Sequence, residues 1–285
     1  MTGGVQITFD VECSMGGAWN IEAHEPVPPD RAIWGRYGGR ELGLPLICDI
    51  LVEHGLAATF FVEPYMAEQG HDPAAGEQIC RYLLDRGQDV QLHVHPNHRH
   101  YADHKAGRPY RREDHIGALP ADEQRELLGV GAERIRGWTG RDCVAFRAGN
   151  MGADESTLPL LAEAGMTLDS SYTFPYAGTT CRFAAAEPYN GSTWYGPVLE
   201  VALSGFWQPR LPGLHAAKPV DLVGVSFAEA RDATAAICDA GAEAVVILHS
   251  FSLFKVRDTQ YCRGRPNQVV ISRLRRYCAW LAERR

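Results

Sequence analysis

The sequence predicts an α/β fold, a single-domain distorted (β/α)7-type barrel of the TIM-like class. Short β-rich runs alternate with amphipathic helical stretches along the chain, and this alternation predicts parallel β/α units. About seven such units favour a barrel over an open sheet, and a chain of 285 residues is compatible with one barrel domain. We therefore expect residues 1–285 to form a single domain.

The first half of the chain alternates in the order that parallel units require. Apolar runs rich in β-branched and aromatic residues predict strands, and apolar residues at helical spacing predict helices. The predicted strands are residues 5–10, 58–62, 90–94 and 143–146, and the predicted helices are residues 41–54, 74–86 and 121–138.

The second half continues the same alternation. A helix is predicted to end at Gly165, because glycine is common just past a helix C-terminus. The further predicted strands are residues 166–169, 198–203 and 244–248, and the further predicted helices are residues 227–240 and 266–284.

Two long irregular stretches interrupt the alternation, at residues 13–38 and 97–120. Both are rich in Pro, Gly, His and aromatic residues, and both directly follow a predicted strand. Long loops in compact domains are usually functional or mobile, and in barrel enzymes the loops after the strands build the active site. We expect both loops to flank a site.

The composition is that of a globular protein with a sizeable core. Hydrophobic residues make up 45% of the chain and charged residues 22%, which excludes a disordered or fibrous chain. The net charge of −7 argues against nucleic acid as a partner. The apolar runs are far shorter than the ~18 residues that a membrane span requires, so we expect no membrane segment.

The termini and cysteines predict a cytoplasmic protein. The first five residues contain no basic start followed by an apolar stretch, which a secretory signal would have. The eight cysteines include no C-x-x-C pair, so we expect reduced, mostly buried thiols rather than disulfides or a thiolate zinc site. The sequence leaves the oligomeric state open.

Two carboxylates, Asp10 and Glu12, lie at the end of the first predicted strand. In a strand, residues two apart share a face, so one carboxylate could bind a metal while the other acts on water. The alternative is a turn with two solvated acids.

Histidines cluster directly after the third predicted strand. Imidazole is the commonest zinc ligand among side chains, and a solvated polar loop would account poorly for the first of these residues. His93 and His95 share a strand face, and His98 can turn back from the following loop. The cluster lacks an acidic ligand, which Glu12 would supply. Four histidines fall within eight residues: His93, His95, His98 and His100.

Three further polar residues, Arg147, Asp169 and His249, follow or end predicted strands. Each is weak evidence by itself: such residues commonly form surface ion pairs, helix caps or satisfied core contacts. Their shared position matters more, because the carboxyl ends of parallel strands meet at one rim of a barrel.

Two stretches could contact a substrate. Residues 204–207 include Phe206 and Trp207, which could wall an acyl pocket or stack on a sugar ring, with core packing as the alternative. Residues 105–112 (KAGRPYRR) are a local basic stretch that could meet an anionic substrate or could be a solvated loop.

Taken in their order along the chain, these motifs resemble those of the polysaccharide deacetylase family, carbohydrate esterase family 4. Residues 8–12 (TFDVE) look like the family's Thr-Phe-Asp-Asp-Gly, residues 58–62 (ATFFV) like its second strand, and residues 87–93 (GQDVQLH) like its Gly-His-Glu-Ile-Gly-Asn-His. Residues 146–147 resemble its arginine motif, Asp169 the acid that follows, and residues 248–249 its last histidine motif. The resemblance covers residues 5 to about 250, and several motifs in one order are more specific than any one of them.

Two residues depart from the family pattern. Val11 replaces the second aspartate of the first motif, so the metal carboxylate would be Glu12. Position 97 is Asn, whereas the family's two histidines are normally four apart, which leaves His95 or His98 as the second imidazole.

The resemblance implies a distorted (β/α) barrel with one divalent metal, zinc first and cobalt, nickel, manganese or iron as alternatives. Glu12, His93 and one further histidine would hold the ion. Asp10 would be the general base, oriented by Arg147. His249, paired with Asp169 and so kept protonated, would give a proton to the leaving amine.

The activity that the resemblance implies is removal of an N-acetyl group from an amino sugar or another sugar-containing small molecule. One alternative is hydrolysis of a different C–N bond, such as a cyclic amide or ureide, on the same barrel. An alternative of another class is a carbohydrate-binding barrel without catalysis.

Overall fold

Strands and helices alternate along the computed structural model, which describes residues 3–185, 187–211 and 214–284. The strands are β1 (Val5–Val11), β2 (Arg36–Tyr37), β3 (Arg40–Glu41), β4 (Thr59–Val62), β5 (Asp89–Val94), β6 (Ala145–Ala148), β7 (Leu168–Asp169), β8 (Ser192–Tyr195), β9 (Val198–Val201), β10 (Gly205–Leu211), β11 (Leu214–Pro219), β12 (Ala244–His249), β13 (Phe254–Val256) and β14 (Gly264–Pro266). The helices are α1 (Pro29–Ala32), α2 (Leu44–Glu53), α3 (Ala75–Leu84), α4 (Pro96–Lys105), α5 (Ala121–Thr139), α6 (Thr157–Glu163), α7 (Phe227–Asp239) and α8 (Gln268–Ala282).

Seven parallel strands form the central sheet within the described residues. Their order is β12-β1-β4-β5-β6-β7-β9, and β8 lies antiparallel to β9 at one edge. The first strands in this order are almost wholly buried because helices cover the outside of a curled parallel sheet. The predicted α/β barrel class is confirmed, with the seven units that the alternation indicated.

The two ends of the sheet are joined by the segment that follows β9. Ser204 N donates to Val245 O at 3.0 Å, and Val245 N donates to Ser204 Oγ at 2.9 Å. Val220 N donates to Ser204 O at 2.7 Å, and Ile247 N donates to Val220 O at 3.3 Å. Irregular chain therefore fills the gap between β9 and β12, which makes the barrel distorted rather than regular.

The elements that the sequence did not predict include a helix and a hairpin. Helix α4 lies where an irregular loop is predicted, because it begins at a proline and buries Tyr101 against the Trp19 ring (5.3 Å) instead of an aliphatic stripe. The hairpin of β10 and β11 is also absent from the prediction, since its sequence does not alternate clearly.

The described residues contain no helix that is both long and apolar enough to cross a membrane. All eight cysteines are free thiols, and seven of them are buried, as expected for reduced core residues. Cys262 is exposed.

Candidate active site

The carboxyl ends of the parallel strands bring the predicted site residues to one rim. In the register of the sheet, Asp10 on β1 lies opposite His249 on β12, and His93 on β5 lies opposite Arg147 on β6. A cavity of about 310 Å³ opens here. Its lining includes Asp10, Glu12, His93, His95, Asn150, Met151, Tyr176 and His249.

Three side chains form a cluster with the composition of a metal site. Ligand atoms of Glu12, His93 and His95 all lie within 4.8 Å of one another. His93 Nε2 is 3.3 Å from Glu12 Oε2, and His95 Nε2 contacts the same oxygen. Two imidazoles and one carboxylate are a donor set typical of a catalytic zinc ion that keeps positions open for water and substrate.

His98 lies beside this cluster and outside it. Its ring stacks on His95 with 4.8 Å between ring centroids, while its Nδ1 lies 3.4 Å from Oε2 of buried Glu63. Of the two histidines that the sequence left open as second imidazole, the structure brings His95 to Glu12. The reason is that α4 begins at Pro96 and carries the His98 side chain away from the cavity.

Hydrogen bonds at the Nδ1 atoms, on the side away from Glu12, orient both imidazoles. His93 Nδ1 donates to Arg147 O at 2.8 Å, which leaves Nε2 as the free lone pair toward the cavity. His95 Nδ1 lies 2.9 Å from Asp114 Oδ2, which also accepts a hydrogen bond from Asn150 Nδ2 at 2.5 Å. The sequence analysis missed Asp114, since one acid in a long polar loop carries no distinguishing signal.

The electrostatics of the cluster favour a positive charge. Burial of Glu12 opposes its ionisation, but His95 and His93 outweigh burial and hold its pKa well below the usual value. Burial likewise disfavours a charged His95, but Asp114 and Glu12 raise the pKa of that imidazole well above its usual value. The two carboxylates thus create a negative field at the place where a cation would sit.

A buried ion pair holds Asp10. Arg147 Nη1 donates to Asp10 Oδ1 at 2.8 Å and to Thr8 Oγ1 at 2.9 Å, and Arg147 Nε donates to Ser170 O at 3.0 Å. Because Arg147 is fully buried, this pairing is only weakly screened and keeps the carboxylate oriented toward the cavity rim. Such a pair fixes the orientation of the Asp10 carboxylate.

The acid that interacts with His249 is Asp221, whereas Asp169, its predicted partner, has its observed contacts elsewhere. The backbone of Asp221 forms an isolated parallel β-bridge with Ile247 on β12. Burial raises the pKa of Asp221, and the neighbouring His249 partly offsets this increase. Asp169 lies on β7, where its register partners are Phe146 and Glu200. The order of motifs along the chain suggested Asp169, whereas the fold lays residues 220–221 alongside β12.

Asp169 instead forms part of a buried carboxyl pair. Its Oδ1 accepts a hydrogen bond from Ser171 Oγ at 2.7 Å, and its side chain also bonds to Glu200. Glu200 Oε1 accepts hydrogen bonds from Ser171 N and Tyr172 N. Burial raises the pKa of both acids, and the neighbouring Asp169 raises that of Glu200 further. Burial therefore favours the protonated form at this pair.

The aromatic residues predicted to contact substrate lie on the β10 strand. Trp207 is 56% exposed and packs against Phe174 at 5.6 Å, and Phe206 is partly buried against the core. Neither belongs to the lining of the site cavity, where the aromatic residue is Tyr176. Trp207 and Phe206 therefore lie outside the lining of this cavity.

Comparison with solved structures shows which fold this is. A "putative polysaccharide deacetylase from Mycobacterium smegmatis" is similar over 99% of this chain and 90% of its own, with 20% identity and a TM-score of 0.52. A family 4 carbohydrate esterase from Streptomyces lividans in complex with acetate is 15% identical over 98% of this chain and 90% of its own, with a TM-score of 0.46.

Peptidoglycan deacetylase PdaC from Bacillus subtilis is 13% identical over 99% of this chain and 85% of its own, with a TM-score of 0.45. No family model and no curated protein matches the sequence. At these identities the likeness to the Mycobacterium structure carries the fold alone. The chain therefore has the distorted (β/α) barrel fold of the polysaccharide deacetylases, the family that its motifs resemble.

Proposed function

We propose that this chain is a metal-dependent deacetylase that removes an N-acetyl group from an amino sugar or another sugar-containing small molecule. The observation that carries the proposal is one cavity rim with three groups of different chemistry. These groups are the Glu12, His93 and His95 cluster, the Arg147-bound Asp10, and His249 opposite Asp10. The names of the similar structures, deacetylases and an esterase, support the same reaction class.

The donor set fits one divalent ion, and zinc suits two imidazoles and a carboxylate best. When bound, such an ion supplies Lewis-acid chemistry, because it acidifies water and polarises an acyl oxygen. The residues that would hold the ion are Glu12, His93 and His95. The carbonyl oxygen of Arg147 and the carboxylate of Asp114 fix the two rings through their Nδ1 atoms.

Asp10 would act as general base in this reaction. Its carboxylate accepts a proton from the attacking water as the water oxygen bonds to the acyl carbon. Arg147 holds the Asp10 carboxylate in place through a buried ion pair at 2.8 Å. Because that pair is buried, removing Arg147 would leave an uncompensated charge and damage the fold as well as the reaction.

His249 would act as general acid. An amide nitrogen is a poor leaving group, so the C–N bond breaks only as the nitrogen receives a proton. His249 as imidazolium gives that proton, and the products are acetate and a free amine. Asp221, the acid that interacts with His249, would orient its ring, the role first assigned to Asp169.

The test is acetate release from a panel of N-acetylated amino sugars, with cyclic amides in parallel, by zinc-loaded protein. Asp10→Asn should keep the metal and lose turnover by a factor on the order of 10² to 10⁴, the usual contribution of a general base. Glu12→Gln, the matched variant two residues away, should lose metal. Release of no acetate by loaded wild-type protein, or loss of metal in Asp10→Asn but not in Glu12→Gln, would contradict the proposal.

A further inference from the structure

A small hairpin beside the site carries four exposed cations. It consists of β13, β14 and the loop 257–263 between them, and it is called the cationic hairpin below. Its register places Lys255 directly opposite Arg265, and Arg257 and Arg263 follow at the loop ends. Like charges opposite each other on paired strands destabilise a hairpin, so the arrangement calls for a compensating negative charge.

No acidic side chain of the described residues forms an ion pair with these four cations. The one acid of the hairpin is Asp258, whose Oδ1 accepts a hydrogen bond from Cys262 N at 2.9 Å. The hairpin therefore keeps an excess of three positive charges in a chain whose net charge is −7.

The basic stretch that the sequence analysis singled out is largely ion-paired. In the basic stretch of residues 105–112, Lys105 pairs with Glu25 at 2.9 Å, and Arg108 pairs with Asp103 at 2.6 Å. Because these charges are already paired, the structure favours the alternative that residues 105–112 do not bind an anionic substrate. The unpaired charge of the cationic hairpin is a local feature and does not follow from a shortage of acids.

The cationic hairpin is anchored on one face and free on the other. The Phe254 ring packs on Tyr37 at 5.3 Å, and Gly264 lies so close to Tyr37 that a Cβ there would overlap the ring. Asn267 N donates to Leu253 O at 2.8 Å at the base of the hairpin. Because side chains alternate along a strand, Lys255 and Arg265 lie on the opposite, solvent-facing side.

The loop of the hairpin reaches the candidate active site. Phe251, just before β13, stacks on the His249 ring at 4.9 Å. In the loop, Tyr261 hydrogen-bonds to the Ser14 side chain and lies near Glu12, whose charge adds to the raising of its pKa by burial. Tyr261 also holds a left-handed φ of 53°, a strained conformation that is kept where the surroundings require it. Arg263 is two residues away, a span of at most about 7 Å.

We infer that the cationic hairpin binds a phosphate group of the substrate, so that the substrate is a phosphorylated N-acetyl amino sugar. The planar guanidinium fork matches phosphate oxygens in pairs, and three of the four cations are arginines. A phosphate of charge near −2 would also relieve the repulsion between Lys255 and Arg265. The amide part of this substrate rests on the proposed function, whereas the phosphate part rests on the hairpin alone.

The first experiment measures binding by calorimetry on the full, zinc-loaded chain. The probes are N-acetylglucosamine 1-phosphate and, as its neutral match, N-acetylglucosamine. The phosphorylated probe should bind more tightly, and the double variant Lys255→Gln/Arg265→Gln should weaken it by about tenfold without affecting the neutral probe. The matched control is Lys105→Gln/Arg108→Gln, which removes two ion-paired cations and should leave both affinities unchanged. Equal affinity for the two probes, or equal weakening in both double variants, would overturn the inference.

The second experiment separates the small molecule from a lipid headgroup, the other source of phosphate. Vesicles of phosphatidylcholine with phosphatidylglycerol are co-sedimented with wild type and with Lys255→Gln/Arg265→Gln. Vesicle binding that depends on the hairpin, with no difference between the two sugar probes, would overturn the small-molecule substrate. Absence of hairpin-dependent vesicle binding supports it.

The two proposals fail in different ways. Hairpin-dependent binding of the phosphorylated probe without acetate release from any amide supports the cationic hairpin and contradicts the deacetylase. Acetate release at equal kcat/KM from neutral and phosphorylated sugars, unchanged in Lys255→Gln/Arg265→Gln, supports the deacetylase and overturns the hairpin's role.

Discussion

At the scale of single residues, Gly149 makes room for the His95 ring. A Cβ at position 149 would lie 2.6 Å from His95 Cγ, closer than carbon atoms approach in proteins. We expect Gly149→Ala to displace the ring from Glu12 and to weaken metal binding by about 10- to 100-fold, as loss of an orienting partner does. Equilibrium dialysis with zinc measures this. Gly137→Ala, in open space on α5, is the control and should add about 1 kcal/mol of stability without changing metal affinity.

A second residue-scale prediction separates the two acids that were candidates for pairing with His249. Asp221→Asn should lower kcat for acetate release by about tenfold, because Asp221 is the acid that interacts with His249 and a loss of about 1.4 kcal/mol corresponds to that factor. Asp169→Asn should leave kcat nearly unchanged, since Asp169 accepts a hydrogen bond from Ser171 and lies beside Glu200. The reverse pattern in the two kcat values would return the role to Asp169.

A third residue-scale prediction concerns His71. Burial, and to a smaller extent the neighbouring His98, lower the pKa of His71 to about 4. As pH falls, His71 is therefore protonated in the unfolded chain at a higher pH than in the folded chain. The free energy of unfolding should therefore decrease between about pH 6.5 and pH 4, by at most about 3 kcal/mol from this residue. Urea unfolding of His71→Leu across this range should show a shallower decrease. His54→Leu at the end of α2 is the control, and an equal flattening there would refute the assignment.

At the scale of elements, the adjacent strands β7 and β9 place Asp169 opposite Glu200, and we expect this buried pair to share one proton. Because burial raises the pKa of both acids, the folded chain holds a proton that the unfolded chain has lost, and stability should decrease as pH rises through the raised values. Glu200→Gln should remove this decrease, since its amide N–H takes the place of the proton. Thermal melts from pH 5 to 9 measure the difference.

The control for this pair is Glu200→Ala. It leaves the Ser171 and Tyr172 N–H groups without their acceptor and should cost about 1 to 3 kcal/mol at every pH. If Glu200→Gln melted with the same pH dependence as wild type, the shared proton would be refuted.

Element prediction succeeded where burial imposes a regular pattern. The predicted helix at residues 121–138 corresponds to α5, and the predicted strand at residues 5–10 corresponds to β1. It failed for α4, whose buried contacts are aromatic and imidazole rings on the facing loop, because such contacts leave no 3.6-residue apolar period.

At the scale of the whole molecule, Ser204 closes the barrel. Its backbone and hydroxyl both bond to Val245, across the gap between β9 and β12. Ser204→Ala should leave Val245 N–H without an acceptor in a buried position and should lower the free energy of unfolding by about 1 to 3 kcal/mol. Chemical denaturation measures this, and Ser192→Ala on exposed β8 should change stability by less than about 0.5 kcal/mol. Equal effects of the two variants would contradict a closing role for Ser204.

The sequence by itself determined the barrel class, the strand-end position of Asp10, Glu12, His93, Arg147 and His249, and their order. It could do so because strand period, strand-end polarity and motif order are local properties of the chain. Only the tertiary structure decided that His95 rather than His98 approaches Glu12, that Asp221 rather than Asp169 approaches His249, and that Asp114 supports His95. Those pairings join residues from different loops, and the register of the sheet and the path of the loops, which no local pattern encodes, bring them together.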